Sequence, residues 1–464
     1  MANPVSDGIA YKRDAMFLNN VLIFVTIINI AVVSDNCPSN TVLPAFSSNR
    51  RLTVSHMLRK DGVIVVCLVL SIFPHLIDGQ SKTFACSFNS QEAASIGFLP
   101  EYVPMEICTH VIFKWFRFPR FVARQMLFDD NDKITFSRLV TSVRQRSRTG
   151  RVVASIDGTG SDFSSASGTN VRRRAFVQAA STLLLELDAD AIELNWERPG
   201  NENTGTGIAT DRLTMVTLLQ DLRQVVNAAS SLIKGRPREL WIRGTIHPNL
   251  ISSSYNTFDV CDLVDQVTLD TTSTAGSTSH APTYSESITL PNFWGFKGQI
   301  IYLRNGLVNA TQTWINSGCP PKKVLLGIGL HGFLKSGFSA EIGFFSNRRC
   351  SLCADDQERM TYRELCQTLR ERGWSFGWDQ QGFTPYATRS FYNGQLQRLS
   401  YEDVNSLRYK MDLVEQQRLG GVYVDNIHSD DIYGTCGQAY PLAGYIASRL
   451  QAIPSDIGFA IEWN

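Results

Sequence analysis

The sequence has no surplus of either charge: 44 Lys and Arg stand against 43 Asp and Glu in 464 residues, a formal net charge of +1. Neutralising a phosphate backbone takes a basic excess, so nucleic acid is not an expected partner. Internal repeats and low-complexity tracts are also missing. Histidine is scarce, with 7 in the chain. The close pair Cys350-x-x-Cys353 has neither a second such pair nor a His cluster to complete a zinc site, so no metal is expected.

Extended apolar runs are confined to the N-terminal region. Phe17 to Val33 is short for a membrane span and contains Asn19, Asn20 and Asn29. The second run has the order of a signal peptide: a basic start at Met57-Leu58-Arg59-Lys60, an apolar stretch from Val63 to Phe73, and a breaker with small and polar residues from Pro74 to Gln80. On this reading residues 57–80 are removed near Gln80-Ser81 and the mature chain is extracellular. Met57 becomes a plausible start, and residues 1–56 an alternative extension or mistranslated leader. Membrane contact is expected only through these two segments.

Beyond that point lie Cys86, Cys108, Cys261, Cys319, Cys350, Cys353, Cys366 and Cys436. An even number in an exported chain favours disulfides. Asn309-Ala310-Thr311 is a surface glycosylation candidate of the kind exported chains carry.

From Lys82 onward, short strand-like runs alternate with helical patterns. Thr83 to Phe88, Thr109 to Phe113, Arg151 to Ile156 and Asp190 to Trp196 read as strands, as do Glu239 to Thr245, Val264 to Leu269, Lys323 to Ile328 and Gly421 to Ile427. In Arg172 to Leu187 the apolar residues Phe176, Ala179, Ala180, Leu183, Leu184 and Leu187 recur at helical spacing. Leu213, Val216, Leu219, Leu222 and Val226 mark the next helix. Ser400 and Asp403 can cap a helix running to Leu419, stopped by Gly420-Gly421. Eight strands with helices between them predict an α/β fold, a (β/α)8 TIM barrel over residues 81–464. Roughly ninety residues separate the seventh and eighth runs, far more than a loop needs. A small α+β domain is therefore expected within 332–418. Trp374 and Trp378 within it could line a cleft or pack its core.

The segment Asp190 to Pro199, DAIELNWERP, carries the chemistry. Alternation along a strand puts Ile192, Leu194 and Trp196 on one face and Glu193, Asn195 and Glu197 on the other. Asn195 and Glu197 would lie about 6 to 7 Å apart. In water such a polar face needs no explanation; inside a closed barrel it requires partners or a purpose. Glu197 falls at the C-terminal strand end, where barrel active sites form.

This segment resembles the D-G-x-D-x-D-x-E signature, followed by Y-P, of the chitinases of glycoside hydrolase family 18. Asp190, Trp196, Glu197 and Pro199 match it. Phe98-Leu99-Pro100 with Ile107 to Ile112 is similar to the family's second-strand region. Val152 to Gly158 resembles its S-x-G-G strand, Lys323 to Ile328 its seventh strand, and Gly420 to Ile432 with Cys436-Gly437 its eighth. The resemblance covers Lys82 to Leu450. It implies a substrate-assisted mechanism with no cofactor, in which the sugar's acetamido oxygen attacks, an acid protonates the leaving oxygen, and a neighbouring Asp and a Tyr steady the cation.

The matching acid is Glu197. Asn195 stands in place of the orienting Asp, bringing no charge, and Glu193 in place of the middle Asp. Thr272 falls at the Tyr position and Asp425 where a floor Trp is expected; Asp157 and Thr159 replace a Gly and an aromatic. Losing one such stabiliser removes about 3 to 4 kcal/mol of transition-state stabilisation. The catalytic candidates are thus Glu197, Asn195 and Glu193. The substrate-binding candidates are Trp115, Trp196, Thr272 and Asp425, although the outward face assigned to Trp196 suits core packing. The resemblance also implies disulfides Cys86–Cys108 and Cys366–Cys436. A bridge between Cys261 and Cys319 is a further hypothesis, leaving Cys350 and Cys353 to close a small loop. The expected function is binding of chitin or related N-acetylglucosamine glycans with little or no hydrolysis. The alternatives are an active glycosidase using Glu197 and a non-catalytic protein-binding or growth-factor-like scaffold.

Overall fold

Eight parallel strands close into a barrel: β1 (Thr83–Asn89), β2 (His110–Arg117), β3 (Arg151–Asp157), β4 (Ala191–Asn195), β5 (Glu239–Thr245), β6 (Gln266–Asp270), β7 (Val324–Gly329) and β8 (Gly421–Asp425). Each pairs with its neighbours in sequence, and β8 closes on β1 through Thr83↔Gly421 and Cys86↔Val424. The computed structural model describes residues 82–196, 199–200, 207–232, 236–270, 283, 286–289, 300–303, 306–338, 357–393 and 395–452, all within the unit Ser81–Pro454. The expected extension 1–56 and signal peptide 57–80, together with Glu197, Thr272, Cys350 and Cys353, lie outside the described residues.

Alternation along the strands separates two cores. Residues such as Phe84, Phe113, Ile156, Ile192, Leu194, Ile242, Leu269, Leu326 and Val424 face outward and join the large cluster under the helices. Ala85, Ile112, Val153, Ala191, Trp241, Leu325 and Tyr423 face inward and form a layer of their own. Above this layer, toward the C-terminal strand ends, the inward positions turn polar. The polar mouth of the barrel is therefore built by the same period of two that fills its apolar floor.

The helices follow the expected stripes. Asn170–Leu185 is N-capped by Thr169 and buries Phe176, Ala179, Ala180, Leu183 and Leu184. Asp211–Leu232 buries Leu218, Leu219, Leu222 and Val226. Val404–Gln416 starts from an Asp403 capping box with Ser406, and its backbone turns left-handed at Arg418 before β8. At Gly420 a Cβ would stand 2.1 Å from the Lys322 carbonyl oxygen, so the approach of β8 to the chain before β7 requires glycine there.

The second strand runs further than its apolar pattern predicts, to Arg117 instead of Phe113. A cis peptide joins Lys114 to Trp115, and the ladder to β3 shifts register between Phe113 and Phe116. Lys114 is charged, yet the barrel interior supplies it with a buried carboxylate partner, described below.

Between β7 and β8 lies a five-stranded antiparallel sheet, in the order Gln357–Met360, Gly332–Phe338, Gln395–Ser400, Thr384–Ser390, Ser375–Asp379, with the helix Tyr362–Leu369. Met360, Leu365, Ala387, Leu399 and Tyr401 form its own core, with Trp374 packed against it. Disulfides join Cys86 to Cys108, Cys261 to Cys319, and Cys366 of the insertion to Cys436 after β8. Asn309-Ala310-Thr311 lies in the helix Leu307–Asn316 and not in a loop; Asn309 is half-buried and Thr311 fully buried, its hydroxyl donating to Leu307 O at 2.9 Å. Among the described residues, no helix is long and apolar enough to cross a membrane.

Candidate functional site

β4 places its residues on two sides of the barrel wall. Ile192 and Leu194 point outward, and Trp196, immediately after the strand, stacks on Phe163 with ring centroids 5.2 Å apart. Trp196 is 0% exposed. Of the substrate-binding candidates, Trp196 has its ring in the core between strands and helices, the packing its outward face suggests, and it does not line the mouth.

Glu193 points inward and is likewise fully buried. Ser155 donates to its Oε2 at 2.5 Å, Thr268 donates to Oε1, and Arg243 Nη2 lies 3.4 Å from Oε2. These donors come from β3, β6 and β5, so Glu193 braces three other strands from the barrel axis. A carboxylate so occupied is stable when buried, because its lone pairs and its charge are both answered.

Asp425 ends β8 and is buried as well. It forms an ion pair with Lys114, accepts from the Tyr423 hydroxyl at 2.7 Å, and lies 3.0 Å from Arg359 of the insertion. Burial alone would raise its pKa, but the charges of Lys114 and Arg359 outweigh that and hold the carboxyl well below its usual range. Where the family resemblance leads one to expect an aromatic floor, the chain has a charged cluster. Arg243 lies over it, with its guanidinium carbon 4.7 Å from the centroids of both Trp115 and Tyr423, and Lys114 Nζ is 4.5 Å from the Trp115 centroid. Trp115 is half-buried at this mouth, within β2.

Lys114, Arg243 and Arg359 were not singled out by the sequence. For the first two a cue existed. Lys114 follows Ile112 and Arg243 follows Trp241 by two residues, the inward parity of a closed barrel, so each had to be a buried cation in need of an anion. Arg359 gave no such cue, because its partner lies across a domain insertion.

Asn195 ends β4 directly opposite Asp157 at the end of β3. Its Nδ2 donates to Asp157 Oδ1 at 2.7 Å. Burial raises the Asp157 carboxyl above its usual pKa, against the Asn195 hydrogen bond and the nearby charges of Arg243 and Lys114. The structure thus brings Glu193, Asn195, Asp425 and Trp115 around one mouth. Of these, Glu193 and Asp425 are already committed to internal cations. Among the described residues, no group of three His, Cys, Asp or Glu side chains could hold a metal ion.

Comparison with known proteins agrees with the barrel fold. Endochitinase of Manduca sexta is 26% identical over 366 residues, 74% of this chain, and the chain spans only 62% of that relative's length. The Ostrinia furnacalis Group IV chitinase superposes with a TM-score of 0.63 at 20% identity, covering 80% of this chain and 100% of that one. Human YKL-39, a pseudo-chitinase with retained chitooligosaccharide binding, gives 0.62 at 19% identity, again covering 80% and 100%. At those identities the two structures attest the fold alone. The family model for glycosyl hydrolases family 18 matches residues 83–430, and the chain belongs to that family.

Proposed function

We propose that the protein is a secreted, chitinase-like binder of chitin or related N-acetylglucosamine glycans with little or no hydrolysis. The observation that carries this reading is the state of the barrel mouth. The position next to the candidate acid holds the uncharged Asn195, and the inward carboxylates Glu193 and Asp425 are neutralised by Arg243, Lys114 and Arg359. An oxazolinium ion forming there would find neither Glu193 nor Asp425 free of an internal cation. The half-buried Trp115 offers an aromatic face for a sugar ring. The like fold of human YKL-39, described as a pseudo-chitinase with retained chitooligosaccharide binding, supports this reading. Secretion is supported by the disulfides, which persist in oxidising compartments.

Retention of Glu197 in the sequence favours one second reading, a weak glycosidase using that acid. Hydrolysis of a fluorogenic chitooligosaccharide by wild type and Glu197→Gln, beside retention on chitin beads, separates the two. The binding reading requires retention on the beads and turnover indistinguishable between the two proteins. Brisk turnover abolished by Glu197→Gln establishes the enzyme instead, and failure to bind chitin removes both.

A further inference from the structure

The five-stranded sheet of the insertion ends on Ser375–Asp379, which pairs with Thr384–Ser390 on one side and, among the described residues, with no strand on the other. Open sheet edges are usually blunted by Lys, Pro or a bulge, because their unpaired backbone groups accept another strand. The opposite edge, Gln357–Met360, carries Glu358 and Arg359. Ser375-Phe376-Gly377-Trp378 has no charge and no Pro, and its ladder to Thr384–Ser390 runs without a register shift. Phe376 is 64% exposed at this edge.

Pro385 decides which backbone groups face outward. Trp378 stands opposite Pro385, which has no N–H, so that pair cannot exchange the two hydrogen bonds of an antiparallel ladder. The doubly bonded pairs are then Ser375–Thr388, Gly377–Tyr386 and Asp379–Thr384. In keeping with this, Asp379 O turns toward the hairpin and accepts from Phe383 N at 2.8 Å. The N–H and C=O groups of Phe376 and Trp378 therefore point away from Thr384–Ser390. Both side chains stand on one face of the sheet, where the Trp378 ring lies 6.2 Å from that of Tyr409.

This spacing is self-complementary. A two-fold axis through Gly377 sets Phe376 of each copy opposite Trp378 of the other, so that each such pair exchanges both of its backbone hydrogen bonds. It also sets phenyl against indole on either side of the axis, a stabilising cross-strand combination. A strand of any other sequence would satisfy the hydrogen bonds without supplying those aromatic partners in register.

We propose that Ser375–Asp379 is the docking edge for a second copy of this chain, joined antiparallel about Gly377 so that the sheet continues across a dimer. The ladder is short, so the dimer is reversible and depends on concentration. The inference does not depend on what the barrel mouth binds.

Sedimentation of the full chain over a concentration series, beside hydrogen exchange at single-residue resolution, tests it. Wild type should move from monomer toward dimer as concentration rises. The amides of Phe376 and Trp378 should slow in step, whereas those of Gly377 and Thr388, already paired within the sheet, should not change. Phe376→Pro removes only an outward N–H from the ladder, so Tm should hold while dimerisation weakens roughly a hundredfold. Phe376→Ala, which keeps the N–H, should weaken it roughly tenfold. Tyr392→Ser, at a fully exposed aromatic outside the strand, should change nothing. A chain that stays monomeric at every concentration overturns the inference. Fast Phe376 and Trp378 amides would then leave the edge to a strand of another protein, and slow ones would show that the chain covers it itself. Association that Phe376→Pro and Phe376→Ala leave intact also overturns it, because the contact then lies elsewhere on the molecule.

Discussion

At Lys114 a cation is buried in a strand between Phe113 and Trp115, and its charge is matched by Asp425 with Asn426 beside it. Such a pair contributes little net stability when intact, since desolvation offsets most of the attraction; removing one member leaves the other uncompensated. Lys114→Met should therefore destabilise the protein by roughly 3 kcal/mol. Adding Asp425→Asn should return most of that loss, because the surviving neutral side chain no longer needs a cation. Urea denaturation of the two single variants and the double variant measures the coupling. Additive losses would show that the pair does not act as a unit, and that Arg359 alone satisfies Asp425. The same reasoning explains why this part of the site was hard to read from sequence. Asp425 was legible as an inward residue in an unusual place, but its partner is 311 positions away and looks locally like the end of a strand.

At the level of elements, the eight strands were legible because alternation or continuous apolar character marks each one. The helices were legible because their stripes and caps agree, as with Asp403 and Ser406. The limit was set by a tertiary partner: β2 continues through Lys114 because an anion lies across the barrel. A comparable long-range debt governs the last helix, Pro441–Ala452. Asp430 accepts from Ala443 N at 2.9 Å and from Asp431 N at 2.8 Å, anchoring the start of that helix to the chain after β8. Burial nonetheless raises its pKa to about 6. The folded state then holds a proton that an unfolded Asp, titrating near 3.9, releases. This group's contribution is largest below the unfolded value and is lost as pH rises through about 6. The span is worth about 3 kcal/mol. Relative to Asp430→Asn, which cannot titrate, wild type should gain about 1 to 2 °C in Tm as pH falls from 7 to 5. A gap between the two that does not change with pH would show that Asp430 is already ionised, held by its two N–H donors.

Within the unit 81–454, the barrel and the insertion each have a core, Tyr362 packs against both, and the two are tied at several points. One is the disulfide from Cys366 to Cys436; another is Arg359, which reaches from its strand to Asp425 at 3.0 Å and to Glu92 at 3.4 Å. The barrel has its own covalent constraint in Cys261–Cys319, with a sequence separation of 58. Loop-closure entropy makes that second bridge worth about 4 kcal/mol, felt by the barrel as one cooperative unit. The insertion rests on a small cluster of buried residues and should open locally at a lower free energy than the barrel. The two bridges should therefore fail differently. Cys261→Ser with Cys319→Ser should lower the Tm of the main transition. Cys366→Ser with Cys436→Ser should leave that transition nearly in place and speed amide exchange across residues 357–400, while β4 and β5 stay protected. Hydrogen exchange read by mass spectrometry beside calorimetry distinguishes these outcomes. If the second pair of substitutions instead loosens β4 and β5 as much as the insertion, the insertion is an integral part of the barrel's cooperative unit, and Arg359 is then as much a wall residue of the site as Lys114.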